Sequence, residues 1–258
     1  MMDGLKKMNS FIGWVGGKSR LRKYIIPMIP ADATRYVEVF GGAGWVLFGR
    51  DPQPGQMEVF NDFDGNLINL YRQIKDNCEE LQREIDWMQS RKLFVTYRKQ
   101  MKGSVQMTDV QRAARFFYLA KCSFGSNRYS FATEAHGTYN IIQKLPEYKD
   151  RLKNVIVEHL DFEQLIRTYD RPGAVFYADP PYVCQKNYYN VAFDEDDHRR
   201  LKAVLSTIKG RFILSYNDCD FIRELYDGFK FTQINRKNLL SVVDNNKKDY
   251  AELLITNF

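Results

Sequence analysis

The sequence predicts an α/β protein with a mainly parallel sheet, a helical insert and a C-terminal antiparallel hairpin, and three observations carry that expectation. Short β-type runs ending at glycine, Asn-Asp or Asp-Pro turns alternate with stretches of helical apolar spacing. The alternation stops over residues 78–150, where helices joined by polar loops replace it, and resumes afterward. Two more β-like runs, about 229–235 and 250–256, flank the turn-rich Asp244-Asn245-Asn246-Lys247-Lys248.

The first strand is expected at Tyr36-Val37-Glu38-Val39-Phe40, broken by Gly41-Gly42-Ala43-Gly44 before an apolar stretch through Phe48. A second, Met57-Glu58-Val59-Phe60, ends at Asn61-Asp62, and Leu67, Ile68, Tyr71 and Ile74 then recur at helical spacing. In the insert, Thr108 is an N-cap for a helix whose buried stripe is Val110, Ala113, Ala114, Phe117 and Tyr118. Val155-Ile156-Val157 restarts the α/β pattern, and Ala174-Val175-Phe176-Tyr177-Ala178 reads as a buried strand stopped by Asp179-Pro180-Pro181-Tyr182. A helix over about 195–208, capped by Asp194 and stopped by Gly210, precedes the strand Phe212-Ile213-Leu214-Ser215.

Composition removes several function classes. The chain has 258 residues, 44% hydrophobic and 27% charged, a soluble globular mix that argues against disordered or fibrous proteins. Its longest apolar stretches are a few residues, far below the roughly 20 that span a bilayer. The opening Met1-Met2-Asp3-Gly4-Leu5-Lys6-Lys7 is followed by no apolar segment of signal-peptide type, so a cytoplasmic location is expected. Cys78, Cys122, Cys184 and Cys219 are widely spaced and there are three histidines, which suggests neither disulfides nor a metal site. The charge is uneven: residues 91–153 hold 13 Lys and Arg against four Asp and Glu. Phe116, Phe117, Tyr118, Phe124, Tyr129, Phe131 and Tyr139 are interleaved with Arg112, Arg115, Lys121 and Arg128, the mixture expected of a nucleic-acid-facing surface, with about half of the aromatics in the core.

Two constellations carry chemistry. The glycine turn Phe40-Gly41-Gly42-Ala43-Gly44, with Asp62 after the second strand, lets a nucleotide-like ligand approach the backbone while a carboxylate accepts from ribose hydroxyls. Leu47 stands where a third glycine would complete GxGxxG, and the pattern alone does not separate a nicotinamide cofactor from S-adenosylmethionine. Asp179-Pro180-Pro181-Tyr182 is more specific. An exocyclic amino group on a base is a poor nucleophile because its lone pair is delocalised into the ring. A carboxylate at Asp179 and the carbonyl of Pro180 could accept the two amino hydrogens and localise that pair. The two prolines stiffen the turn, and Tyr182 could stack on a base that has left its duplex.

With the opening Trp14-Val15-Gly16-Gly17-Lys18, these segments resemble the D12 class of DNA N6-adenine methyltransferases, the orphan GATC-type adenine methylases and their phage relatives, over nearly the whole chain. The resemblance implies a Rossmann-like S-adenosylmethionine-dependent fold with a seven-stranded sheet. Residues 1–77 and 151–258 would form the catalytic domain and 78–150 the target-recognition domain. It implies that Trp14 and Lys18 lie near the methionine end of S-adenosylmethionine, that Glu38, Phe40, Gly42 and Gly44 form the glycine motif, and that Asp62 binds ribose. Asp161 and Phe162 would hold the cofactor's adenine, and Asp179, Pro180, Pro181 and Tyr182 form the catalytic motif. Ser215-Tyr216-Asn217 loosely matches the strand end that walls the target-base pocket. The partner implied is double-stranded DNA, with Lys121, Asn127, Arg128, Arg236 and Lys237 as DNA-binding candidates, no metal, and a restriction endonuclease partner left open. Arg suits guanine and Asn adenine in the major groove, although either can serve phosphate instead. The recognised sequence does not follow.

Methyl transfer would be direct, since Cys184 does not form the Pro-Cys motif of a cytosine-C5 enzyme. Two other readings compete: methylation of another amino group, in RNA or on a protein glutamine, and a DNA-binding relative without turnover. A nicotinamide dehydrogenase is disfavoured because hydride transfer has no use for Asp-Pro-Pro-Tyr.

Overall fold

The computed structural model describes residues 8–134, 137–183, 193–236 and 250–258, and within them the period-two runs pair into one seven-stranded sheet. The strands are β1 (Arg35–Glu38), β2 (Met57–Asn61), β3 (Val155–Glu158), β4 (Ala174–Ala178), β5 (Arg211–Asn217), β6 (Lys230–Arg236) and β7 (Tyr250–Thr256), in the spatial order β3-β2-β1-β4-β5-β7-β6. Neighbours from β3 to β5 are parallel, whereas β7 runs antiparallel to both β5 and β6. The expected mainly parallel sheet with a terminal antiparallel pair is what forms. The residues between β6 and β7, Lys247 and Lys248 among them, lie outside the described residues.

Alternation along each strand sends successive side chains to opposite faces. In β4, Val175 and Tyr177 join one core with Tyr36, Phe60 and Ile213, while Ala174, Phe176 and Ala178 join a second with Val37, Val59 and Leu214. Helices α1 (Arg22–Ile25), α2 (Trp45–Gly49), α3 (Gly65–Asp76), α4 (Cys78–Glu84), α6 (Asp109–Lys121), α7 (Thr138–Gln143) and α8 (Leu145–Leu152) contribute to the first core. Those contributing to the second are α9 (Phe162–Tyr169), α10 (Glu195–Leu205) and α11 (Asp220–Leu225). Helix α5 (Arg91–Lys102) packs through Phe94 into a small cluster with Tyr118, Leu119 and Cys122.

Helix starts follow the caps. The Asp64 carboxylate accepts the Asn66 and Leu67 amides at the head of α3, and Thr108 with Gln111 forms a reciprocal capping box on α6. Asp194 caps α10 in the same way with Asp197. That helix ends at Leu205, three residues before the expected limit, because the Ser206 and Thr207 hydroxyls bond back to the carbonyls of Lys202 and Val204. The stripe predicted on α6 is buried, and Phe116, Phe117 and Tyr118 are core while Phe124, Tyr129 and Tyr139 are exposed.

The basic surplus of residues 91–153 is not all surface charge. Arg151 and Arg50 bracket Glu58 on β2 at 2.6 and 2.8 Å, with all three side chains about 5% exposed. Arg115 is held by Glu84, Gln100 and the Gln111 carbonyl. Those cations fix helices α6 and α8 to their surroundings.

Candidate functional site

The strand order reverses between β1 and β4, and the turns leaving their C-terminal ends lie side by side, with the Val39 amide donating to the Tyr177 carbonyl at 2.9 Å. A parallel sheet binds ligands in the crevice at such a point. A cleft of about 270 Å³ opens there, close to the lower end for small-molecule sites. Trp14, Lys18, Glu38, Phe40, Gly42, Asp62, Asp161, Phe162, Asp179 and Pro181 all line it, so segments far apart in the chain converge on one cavity.

The glycine turn shapes its floor. Gly42 has φ +51°, and a Cβ there would stand 2.8 Å from the Trp14 ring, so a side chain would be both strained and blocked. The Gly42 amide donates to Asp62 Oδ2 and the Asp64 amide to Oδ1, both at 2.8 Å. Burial pushes the Asp62 carboxyl up to about 6 against these two amides, which pull it down. Gly44, at φ +64°, precedes α2 and packs against Tyr71 and Phe48 beneath the turn rather than lining the cleft.

Glu38 is 1% exposed, and its Oε1 accepts the Leu47 amide in α2. Burial pushes its carboxyl up to about 8, with the Leu47 amide opposing. Its other oxygen is buried without a hydrogen-bond partner among the described residues.

At the far wall, Phe162 packs on Phe40 and Phe193, and the Arg200 guanidinium lies 4.7 Å over the Phe162 ring. Arg200 is tied to Asp161 at 3.1 Å and Asp197 at 2.7 Å. Asn61, 1% exposed, donates to the Val39 and Leu160 carbonyls and accepts the Leu160 amide, stitching the exits of β1 and β3 together. Sequence reasoning missed both residues, whose roles depend on partners 39 and 99 positions away.

Asp179 follows β4. Its Oδ1 accepts Lys18 Nζ at 2.7 Å and Ser215 Oγ at 2.7 Å, and among the described residues no donor takes Oδ2. The Tyr177 hydroxyl lies 3.3 Å from Ser215 Oγ. Lys18, 6% exposed, also donates to the Gly16 carbonyl and sits 4.7 Å from the centroid of the Tyr182 ring. The Tyr182 hydroxyl donates to Glu252 Oε2 at 3.1 Å. Burial, with Asp179 and Glu252 nearby, holds that phenol well above its ordinary range. Pro180, behind Asp179, is buried.

Asn127 and Arg128 reach the rim of the same cleft. Their loop leaves α6, closes through a Ser123–Phe131 bridge and carries positive φ at Gly125, Ser126 and Arg128. Asn127 Oδ1 accepts the Tyr129 and Ser130 amides, so its side chain holds the loop's own shape. The Arg128 guanidinium lies 4.6 Å over Trp14 and 5.1 Å over Phe116, with Asp64 at 3.7 Å. Lys121 ends α6 half-buried, and burial lowers its ammonium. Arg236 ends β6, and Lys237 and Cys184 lie outside the described residues. Among the described residues no group of His, Cys, Asp or Glu is arranged to hold a metal, and no helix is long and apolar enough to cross a membrane.

The family model for D12 class N6 adenine-specific DNA methyltransferases matches residues 14–240. The chain is 27% identical to a type II methyltransferase, M1.LlaDCHI, of Lactococcus lactis subsp. cremoris, across 97% of this chain and 96% of that one. It is 29% identical to the type II methyltransferase M.CviBI of Paramecium bursaria Chlorella virus NC1A, across 89% and 91%. Against the DNA adenine methylase of Haemophilus influenzae the identity is 24% across 96% and 93%.

Proposed function

The chain belongs to the D12 class N6 adenine-specific DNA methyltransferases, and from that premise we propose how its own residues divide the work. The cleft takes S-adenosylmethionine, and an adenine turned out of duplex DNA presents its amino group at Asp179. The observation that carries this reading is that one continuous cleft joins the glycine turn to a carboxylate whose Oδ1 is doubly occupied and whose Oδ2 takes no donor among the described residues.

The donor set fits the cofactor. Phe40 and Phe162 offer apolar faces for its adenine, and Asp62 keeps lone pairs for ribose hydroxyls beyond its two backbone bonds. The unpartnered Glu38 oxygen suits the cationic methionine end. S-adenosylmethionine, when bound, supplies an electrophilic methyl group on a sulfonium centre.

The protein's part is to position the amino nitrogen. Lys18 and Ser215 fix the Asp179 carboxylate through Oδ1, which leaves Oδ2 to accept one amino hydrogen while the Pro180 carbonyl accepts the other. Tyr182 supplies a stacking face for the base. Residues 78–150 act as the target-recognition unit, with Asn127 and Arg128 on a loop whose Phe124 and Tyr129 are exposed. Arg236 and Lys237 are assigned to the DNA backbone.

The test is transfer from labelled S-adenosylmethionine to mixed-sequence duplex DNA, single-stranded DNA and RNA in parallel, with the product nucleoside identified by mass spectrometry. N6-methyldeoxyadenosine from duplex DNA is expected. Cofactor binding with no labelled DNA would overturn the assignment of Asp179.

A further inference from the structure

The terminal strand places a carboxylate at the catalytic edge. Strand β7 is antiparallel to β5, so its N-terminal end lies beside the C-terminal end of β5, in the register Asn217–Glu252 and Ser215–Leu254. Directly opposed residues share a face, which puts Glu252 on the face that presents Ser215 to Asp179. Glu252 is 6% exposed, a costly place for a carboxylate unless polar partners are built around it. One of them is the hydroxyl of Tyr182, the aromatic of the catalytic motif.

We propose that Glu252 is a positioning residue for methyl transfer, acting through the Tyr182 hydroxyl to hold the ring in the plane on which the target base stacks. The inference rests on the reading of Tyr182 given above and extends it to a residue 70 positions away in the chain. The prolines that stiffen Asp179-Pro180-Pro181-Tyr182 do not restrain rotation of the Tyr182 ring about its Cα–Cβ bond, so its plane is set by its contacts, with Tyr216 packing at 6.0 Å between ring centroids and Glu252 holding the hydroxyl. The Glu252 oxygen accepts the Tyr182 hydroxyl and ties the ring's outer end to the sheet. Lys18, 4.7 Å from the ring centroid and 2.7 Å from Asp179, joins the ring to the carboxylate that meets the amino group. The base-stacking surface and the amino-group acceptor are thereby held in one frame, with the sheet at one end and Lys18 at the other.

The experiment compares E252Q, E252A, Y182F and the double variant E252A/Y182F, reading kcat and KM for methylation of duplex DNA, binding of S-adenosylmethionine and the thermal midpoint. E252A should lower kcat about ten- to a hundredfold, the worth of a hydrogen bond to a charged group, with cofactor binding unchanged. E252Q keeps an acceptor oxygen and should recover most of the loss. In the Y182F background E252A should cost nothing further, because its route to the reaction is already cut. Multiplying losses in the double variant, or an E252Q as slow as E252A, would overturn the role of Glu252 while leaving the methyltransferase reading intact. A wild-type chain that binds the cofactor yet methylates no duplex DNA would overturn that reading itself. Should E252A fail to fold, Y182F decides alone, and full kcat in it would refute the proposal.

Discussion

Replacing Asp179 with asparagine keeps the side chain's shape and removes its charge, and the structure says what else that removal does. Lys18 is 6% exposed and has two oxygen partners, Asp179 Oδ1 at 2.7 Å and the Gly16 carbonyl at 2.9 Å. At 2.7 Å with an effective dielectric constant near 20, the Coulomb attraction is about 6 kcal/mol, most of which desolvation of the two ions offsets. Removing one member of a buried pair typically costs about 3–5 kcal/mol, because the other is stranded. Here the Gly16 bond survives and the Asp179 side chain, 16% exposed, already faces the cleft, so about 2–3 kcal/mol is expected. For a chain of this size that lowers the thermal midpoint by about 5–10 °C.

Lys18→Met should cost a similar amount from the other side. The double variant, with neither charge buried, should be less destabilised than the sum of the two by about 1–3 kcal/mol. Urea and thermal unfolding of the four proteins measure this cycle, and methylation assays on the same samples should find Asp179→Asn inactive with cofactor binding largely retained. Additive stability losses would refute the pairing. Activity within about tenfold of wild type in Asp179→Asn would refute the assignment of its carboxylate to the amino group.

Three other perturbations separate the remaining claims. Arg128→Ala should cost about 1–3 kcal/mol of discrimination at one base pair if the guanidinium leaves Trp14 to read a base edge, measured by methylation of a substituted-site library, whereas uniform weakening across sequences would mark a phosphate contact. Glu38→Gln should flatten the stability profile between about pH 4.5 and 8. The folded carboxyl near 8 holds a proton that the unfolded one, near 4.5, releases, so wild-type stability falls as pH rises from about 4.5 toward 8. The advantage of the variant in thermal midpoint should therefore grow from pH 5 to pH 8, and parallel curves would contradict the buried-acid reading. Glu58→Leu strands Arg50 and Arg151 in the core and should cost about 3–5 kcal/mol in urea unfolding without changing kcat per folded molecule, and an unchanged unfolding midpoint would sink the structural role given to that triad.

What was legible in the sequence was whatever a short stretch of chain determines by itself. Glycines after a β-type run can only be a tight turn, and Gly42 proved to sit at positive φ against Trp14. The alternation in Ala174-Val175-Phe176-Tyr177-Ala178 serves two cores at once, which is why it reads as a continuous apolar run rather than a half-polar strand. Thr108 and Asp194 were readable as caps because capping is settled within three residues. Charge was read less well. Composition assigned the surplus over residues 91–153 to a nucleic-acid surface, yet Arg151 and Arg115 are tied to Glu58 and Glu84 by contacts that only tertiary packing creates.

The same distinction explains which site residues stayed hidden. Asp179 announces itself because two prolines and an aromatic surround it, and Ser215 was marked only loosely by its strand end, whereas Glu252, Asn61 and Arg200 are ordinary polar residues in unexceptional local sequence. They acquire a role from tertiary packing: Arg200 on α10 reaches Asp161 across the cleft wall, the parallel sheet brings the exits of β1, β2, β3 and β4 to one edge, and antiparallel β7 adds its own beginning to that edge. An extra parallel strand in the place of β7 would deliver its C-terminal end there instead, and Glu252 would lie at the opposite side of the sheet, out of reach of Tyr182. Direction of the last strand, rather than the residue's own neighbourhood, is what makes a carboxylate near the end of the chain a neighbour of a tyrosine near its middle. Reversing the register by one residue would be equally decisive, since it would turn Glu252 toward the Val37 and Phe176 face and bury its charge among apolar side chains. The antiparallel pairing and its register are thus part of the site, as much as the motif residues that first drew attention to it.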